Sequence, residues 1–495
     1  MTNFYAELDQ VFAENLQRDA LRMPDGTVWL FADLRAQVAR LAALLVQHNV
    51  TPGERVVVQV DKSPHNLALY LACLRIGAVY VPLNTAYTEA ELDYFVGDAS
   101  PQLFVGKTAR SDVTSLTLAG DGTGTLQTQL AALPADASGR IAERDAEDLA
   151  AIVYTSGTTG RSKGAMLSHH NLASNAHNLT AAWGWQHDDV LLHALPIFHV
   201  HGLFIATHCA LLNGSTMEFL PRFDVAQVQK ALPRCTVMMG VPTFYSRLLA
   251  DSDFPAGPLD HMRVFICGSA PLTEPVFNAW TERTGHQILE RYGMSETIIN
   301  TTNPLDGARV PGTVGFPLPE LQLRIADAQG TPLAAGEVGI IEVKGPNVFS
   351  GYWQMPEKTA EEIRADGFFI TGDLGTVDEE GRVSIVGRGK DLIISGGYNV
   401  YPKEVERLLD DLPGIEEAAV IGIPHADFGE GVVAVVVPTD SAVALDAVEQ
   451  ALQGQLARFK QPKIIVNVDE LPRNTMGKVQ KNLLREQYAD LFSET

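Results

Sequence analysis

The sequence predicts an α/β protein: a large N-terminal domain of parallel or mixed sheets covered by helices, a β-rich subdomain closing it, and a small α+β C-terminal domain. Three observations carry that expectation. Apolar β-type runs alternate with amphipathic helical stretches through the first two thirds of the chain, a βαβ pattern that favours parallel sheet under helices. From Leu321 the texture changes to short strands with tight turns, and the last hundred or so residues mix one helical stretch with apolar strands. At 495 residues, 46% of them hydrophobic, the chain is long enough for two or more domains.

The elements follow in order. Val56–Val60 reads as a strand, Pro64–Leu74 as a helix and Val79–Val81 as the next strand. The pattern recurs in a strand at Thr236–Met239, a helix from Thr243 to about Ala250, a strand at Val264–Cys267, a helix near Glu274–Thr284 and a short strand at Ile288–Leu289. The Gly/Asp/Ala-rich stretch from about Ser111 to Arg140 reads as a surface excursion of little regular structure. Asp378–Gly381 is a turn between strands at Gly375–Val377 and Val383–Ile385. Glu404–Leu412 reads as a helix, followed by strands at Ala418–Gly422 and Val432–Val437.

Sixty acidic residues against 37 basic ones give a formal charge of −23, which argues against nucleic acid or an anionic membrane as partner. Any anionic substrate must then be held by local basic groups. The cysteines, Cys73, Cys209, Cys235 and Cys267, lie in apolar segments without CxxC spacing and read as small hydrophobes of a reducing compartment. No apolar run approaches the roughly 18 residues that span a bilayer, and the acidic start (Glu7, Asp9) lacks a basic signal. The cytoplasm is the expected location.

The segment Tyr154-Thr-Ser-Gly-Thr-Thr-Gly-Arg-Ser-Lys163-Gly164 has the composition of a phosphate cradle. Glycines bring backbone N–H groups up to an anion, hydroxyls donate, and a lysine adds charge. It is not a P-loop: GxxxxGK[ST] starting at Gly157 needs glycine where Ser162 stands and a hydroxyl residue where Gly164 stands.

This string resembles the signature loop of the adenylate-forming superfamily, which contains acyl-CoA synthetases, peptide-synthetase adenylation domains and luciferases. Glu290-Arg-Tyr-Gly-Met-Ser-Glu296, Thr371-Gly-Asp373, Gly387-Arg-Gly-Lys-Asp391 running into Ser395-Gly-Gly-Tyr-Asn399, and Pro472-Arg-Asn-Thr-Met-Gly-Lys478 follow in the family order. The resemblance implies an N-terminal domain over 1–388, with its β-rich subdomain at about 318–388, and a mobile C-terminal lid over 389–495.

It also implies roles. ATP and AMP would be held by Thr155, Ser156, Gly157, Thr158, Thr159, Gly160 and Lys163, by Ser269, Ala270 and Pro271, by Glu290, Arg291, Tyr292, Gly293, Met294 and Ser295, and by Asp373, Arg388 and Lys478. Tyr292 would stack on adenine and Asp373 accept from the ribose hydroxyls. Mg²⁺ is expected on Glu296 and Thr155, since that ion takes few, hard oxygen ligands. Lys478, Glu296 and His199 are the expected catalytic residues, Lys390 the hinge, and Ser395, Gly396 and Gly397 part of the coenzyme A channel. Swinging the lid would withdraw Lys478 and open that channel. No carrier module follows before Thr495, and Arg458, Lys460, Lys463, Arg473, Lys478, Lys481 and Arg485 make the lid locally basic. Both features favour coenzyme A as the thiol.

For the acid, the segments that line the family's pocket carry polar groups: His201 in Phe198-His-Val-His-Gly202, Arg247 in Val241-Pro-Thr-Phe-Tyr-Ser-Arg247, and Arg291, with Ser269 nearby. Guanidinium groups bind carboxylates in a forked, charge-assisted geometry, so the reading is a second carboxylate on the substrate. PxFHVHGL and ERYGMSE together resemble malonyl-CoA synthetases, which implies malonate, with methylmalonate a second substrate. Two alternatives stay open: another short-chain or aryl acid with the arginines structural, and an adenylating enzyme that loads a carrier or oxidises its adenylate. The expected partners are small molecules alone.

Overall fold

In a computed structural model, the described residues are 3–155, 162–255, 257–395, 398–425, 428–439, 442–452, 455–474 and 477–492. Their strands form four sheets. The largest runs, from one edge to the other, through Phe316–Pro317, Thr301–Thr302, Leu289–Tyr292, Val264–Cys267, Val237–Gly240, Val190–His193, Thr216–Phe219, Asp19–Arg22 and Val28–Leu30. Its six central strands are parallel, and antiparallel partners close both edges. Strands covered on both faces read as unbroken apolar runs rather than alternation. Val237–Gly240 and Val264–Cys267 are accordingly buried at every position.

A second sheet orders Ser115–Thr117, Leu103–Gly106, Arg55–Gln59, Val79–Pro82, Leu149–Thr155 and Lys163–Ser168, parallel except for the last pair. Its crossover helix Pro64–Ile76 shows why the local sequence folds as it does. Ser63 caps the start by accepting from the Asn66 N–H at 3.2 Å, Pro64 opens the first turn, and Gly77 ends it in the left-handed region at φ 72°.

The β-rich expectation holds as a four-stranded antiparallel sheet of Gln322–Ala326, Gly339–Lys344, Phe369–Val377 and Val383–Arg388. Beyond it, Tyr398–Val400, Ile393–Ser395, Gly429–Pro438 and Ile415–His425 form a separate sheet, with Ile464–Asn467 added parallel to Gly429–Pro438. The helix Pro402–Asp410 covers it. Two apolar clusters of this C-terminal part draw all their residues from Ile393 onward.

The stretch 111–140 differs from its expected irregularity, for it holds the strand Ser115–Thr117 and the helix Thr125–Ala132. Leu116, Leu126 and Leu130 are buried there, and a few well-spaced leucines suffice to dock a polar segment on a core.

Four adjacent parallel strands fix where a site can form: Val190–His193, Val237–Gly240, Val264–Cys267 and Leu289–Tyr292. Ligands of open α/β sheets bind beyond the carboxyl ends of the strands. His199 and His201 follow the first, Arg247 the second, Ser269 the third, and Arg291 and Tyr292 end the fourth.

Candidate active site

Arg291 lies across the backbone of the neighbouring strand end. Cys267 pairs with Glu290, which sets Gly268 beside Arg291; a Cβ on Gly268 would stand 2.5 Å from the Arg291 Cζ. Only glycine leaves room for the guanidinium there. Arg291 is 4% exposed, and its Nε and Nη2 have no hydrogen-bond partner among the described residues. Burial pulls its pKa down to about 10. Successive strand residues face opposite ways, and Glu290 instead accepts from the Leu272 N–H at 3.1 Å. The structure therefore has no Glu290–Arg291 ion pair, and burial lifts the Glu290 carboxyl to about 7.

Two histidines face the same region. His201 is buried, its Nδ1 3.1 Å from Ser269 Oγ, and its Nε2 is unpartnered among the described residues. Ser269 holds φ 73°, a left-handed conformation that costs a non-glycine residue on the order of 1 kcal/mol or more. The His201 N–H donates to His199 Nδ1 at 3.2 Å, which leaves the neutral His199 ring its proton on Nε2. Burial, then the positive charges of Lys478 and Arg291, hold His199 down at about 3. Burial and Arg291 likewise push His201 well below the usual histidine range. Both rings are neutral at pH 7.

Beside these, the Tyr292 hydroxyl donates to Asp373 Oδ2 at 2.5 Å, and Arg388 Nε meets Asp373 Oδ1 at 2.7 Å. Asp373 and Arg388 are cross-strand partners, so the pairing follows from the register of the β-rich sheet. Tyr292, Asp373 and Arg388 thus come together, as do Ser269, Arg291, His199 and His201. Gly293 allows the chain to turn sharply, since a Cβ there would meet the Ile298 carbonyl oxygen at 1.9 Å. Met294 and Ser295 continue that turn, half-buried, into Glu296.

Glu296 is buried, and its side chain accepts from the Tyr352 hydroxyl at 3.1 Å. Burial raises its pKa. The same hydroxyl lies 2.6 Å from Glu362 Oε2, so its one proton is shared between the two carboxylates, and Glu362 binds Lys163 at 2.9 Å. The Lys163 ammonium further sits 4.1 Å above the Tyr352 ring. Lys163 is thus engaged by a carboxylate and an aromatic face. Thr155 Oγ1 contacts the Lys163 carbonyl oxygen at 3.4 Å across the strand pair. Of the phosphate loop, Ser156, Gly157, Thr158, Thr159 and Gly160 lie outside the described residues, as do Gly396 and Gly397. Ser395 is buried in its strand.

Lys478 comes to this site from the C-terminal part. Burial first, then the positive charge of Arg388, lowers its pKa to about 8, with Asp373, Glu296 and Arg291 also within electrostatic reach. The residue as a whole is exposed, and the lowering comes from desolvation and positive charge at its ammonium. A Cβ on the preceding Gly477 would lie 3.2 Å from Thr243 Oγ1, so the loop abuts the helix Pro242–Ala250. Arg407 reaches Glu274 at 2.7 Å across the same boundary. Lys390 is exposed in the short turn Gly389–Asp391, and its neighbour Asp391 binds Arg485 at 2.5 Å.

Arg247 differs from the other expected acid-pocket residues in its exposure. It is exposed, on the same helix as Thr243 and one turn further on, and forms no ion pair among the described residues.

Comparison with known proteins fits this geometry. The AMP-binding enzyme family model matches residues 8–353, and the AMP-binding enzyme C-terminal domain model matches 404–478. The chain belongs to the AMP-binding enzyme family. It is an AMP-forming acid–CoA ligase, with ATP and coenzyme A as substrates. Within this family a feruloyl-CoA synthase of Amycolatopsis sp is 37% identical over 94% of this chain and 94% of its own. A malonate–CoA ligase of Arabidopsis thaliana is 33% identical over 93% of this chain and 85% of its own. The ATP-bound structure of MatB from Rhodopseudomonas palustris superposes with a TM-score of 0.95 at 51% identity, covering 99% of each chain. The architecture of this AMP-binding enzyme is thus that of its relatives, a sheet-built N-terminal part followed by a small C-terminal part.

Proposed function

We propose that the enzyme joins malonate to coenzyme A through a malonyl-adenylate, releasing pyrophosphate and then AMP. The observation that carries this reading is a set of three buried nitrogens without partners among the described residues: Arg291 Nε and Nη2, and His201 Nε2. A buried guanidinium left without an acceptor costs roughly 3–5 kcal/mol, and the far carboxylate of a diacid supplies an acceptor of matching shape. Ser269, through its hydroxyl on His201 Nδ1, sets that ring to present Nε2–H. Arg247, exposed on its helix, contributes through the field at the pocket mouth. Methylmalonate enters by the same contacts, since one methyl discriminates by only about 1–3 kcal/mol.

In the first half-reaction the near carboxylate attacks the α-phosphorus, and pyrophosphate departs. Lys478 holds carboxylate and α-phosphate together and offsets the charge that develops between them. Asp373, supported by Arg388, accepts from the ribose hydroxyls; Tyr292 lies against adenine, which the turn from Ser269 to Pro271 and the strand end at Glu290 enclose. His199, neutral with Nε2–H outward, donates to an oxygen near the scissile bond. Thr155 and the loop 156–160 take the departing phosphates, with Lys163 holding the edge of that loop.

Mg²⁺ fits Glu296. That buried carboxylate has a tyrosine hydroxyl as its hydrogen-bond donor among the described residues, which leaves oxygen lone pairs for a hard cation. Glu296 and Thr155 would hold it, and it would supply charge neutralisation on the phosphates. In the second half-reaction the coenzyme A thiolate attacks the acyl carbonyl and AMP leaves. We divide the chain at 388/389, where the apolar clusters change, so that a swing at Lys390 withdraws Lys478 and brings Ser395–Gly397 to the thiol's path.

The second reading, an aryl acid, is favoured by the feruloyl-CoA synthase relative. A carboxylate panel followed by pyrophosphate release, with and without coenzyme A, decides between them. Malonate is expected to lead the panel; ferulate or propionate ahead of malonate would overturn the assignment.

A further inference from the structure

Lys62 is a half-buried lysine that the chemistry above does not use. It follows the strand Arg55–Gln59 of one sheet and reaches across to His193, the last residue of Val190–His193 in the other. Its Nζ lies 2.8 Å from His193 Nδ1 and 2.7 Å from the His193 carbonyl oxygen, and 4.3 Å above the Phe219 ring. No carboxylate pairs with it among the described residues. Lys62 keeps some accessible surface, yet burial pushes its pKa well below the usual lysine range; the contacts on its head group favour an enclosed amine.

The proton inventory fixes the direction of this chain. His193 Nε2 lies 2.9 Å from the Gly202 carbonyl oxygen. A carbonyl only accepts, so Nε2 carries the ring proton and Nδ1 must accept from Lys62. Two N–H donors on Lys62 satisfy both of its contacts whether the amine is charged or neutral. Gly202 in turn belongs to the π-helical turn His201–Ala206, a geometry often found at functional sites. The Thr207 hydroxyl donates to the same Gly202 carbonyl at 2.8 Å. On its other side Gly202 is wedged against Pro196, where a Cβ would stand 2.1 Å from the carbonyl oxygen. The residue immediately before it is His201, whose Nε2 faces the proposed acid pocket.

We propose that Lys62 is a positioning residue for acid recognition, acting through His193 and the Gly202 carbonyl to hold the His201 turn against Ser269. This rests on His201 serving the acid, as set out above. A structural bond between two sheets would affect folding and every substrate alike; a relay ending at His201 affects the acid alone.

The test is steady-state kinetics on the full chain with Lys62→Met, which keeps the stem and removes the donors, and with His193→Gln, whose amide retains a donor toward Gly202. Lys62→Met is expected to raise KM for malonate about tenfold while KM for ATP and coenzyme A stay within about twofold. In the His193→Gln background the same change is expected to add less than about twofold, because the relay is already cut. An unchanged malonate KM, a parallel rise for acid and ATP, or full additivity overturns the relay. If Lys62→Met does not fold, nitrogen NMR of wild-type His193 replaces it: protonation on Nε2 is expected, and protonation on Nδ1 overturns the proposal. Should the wild type prefer an acid other than malonate, the malonate reading fails separately, and the KM split is read with the preferred acid.

Discussion

Replacing Arg291 with methionine separates its cost to the empty fold from its value to the substrate. The side chain is 4% exposed and its pKa has fallen to about 10, so burial disfavours its charged form. A base whose folded pKa lies below its unfolded value is destabilising wherever it is charged in both states, which covers neutral pH. Removing it from the empty enzyme should leave the unfolding temperature unchanged or raise it. Malonate, in contrast, should lose a charge-assisted contact made in a desolvated site. Truncating one member of such a pair costs about 2–5 kcal/mol, or about 30- to 5000-fold in kcat/KM. The KM for ATP should stay within about threefold, because on the proposed assignment the nucleotide is held separately, by Asp373, Tyr292 and Arg388. Pyrophosphate release, followed while each substrate is varied, measures both. Parallel losses for malonate and ATP, or a clear drop in unfolding temperature, would refute the reasoning.

Other consequences follow from the same geometry. Lys478 titrates near 8 and is charged below that pH, so kcat/KM for adenylation should fall as pH rises through about 8; Lys478→Arg, charged throughout, should lose that limb even if its rate is lower. Lys478→Ala should abolish adenylation yet still convert supplied malonyl-adenylate to thioester, and loss of both half-reactions would count against a lid swing. Asp373→Asn should raise KM for ATP by about tenfold or more, with the malonate KM nearly constant. Glu296→Gln should raise the Mg²⁺ concentration needed for half-maximal rate at fixed ATP, and an unchanged Mg²⁺ titration would remove Glu296 from the metal site.

The parts legible in the sequence were those encoded locally. The apolar runs read at Thr236–Met239 and Val264–Cys267 are strands at Val237–Gly240 and Val264–Cys267, and the helical stretch read at Pro64–Leu74 runs Pro64–Ile76. Asp373 and Arg388 stood in separate motifs, and the β-rich sheet made them cross-strand partners. What the sequence withheld depends on long-range pairing. The Lys163–Glu362 contact spans 199 residues, and nothing near Tyr352 marked it as a neighbour of Glu296. Lys62 and His193 were missed for the same reason, being 131 residues apart. Arg247 was placed by its motif, but which helix face it occupies depends on packing that leaves Tyr245 and Leu248 buried and Arg247 exposed. The strained Ser269, at φ 73°, has no signature in Gly268-Ser-Ala-Pro271 either.

The central claim is that Arg291 and His201 neutralise the far end of a diacid, and monomethyl malonate removes only that end's charge. Pyrophosphate release with malonate and with its half-ester, at equal ATP and Mg²⁺, isolates the contribution. Malonate should be favoured in kcat/KM by about 100-fold or more; a half-ester turned over as well as the diacid would contradict the account.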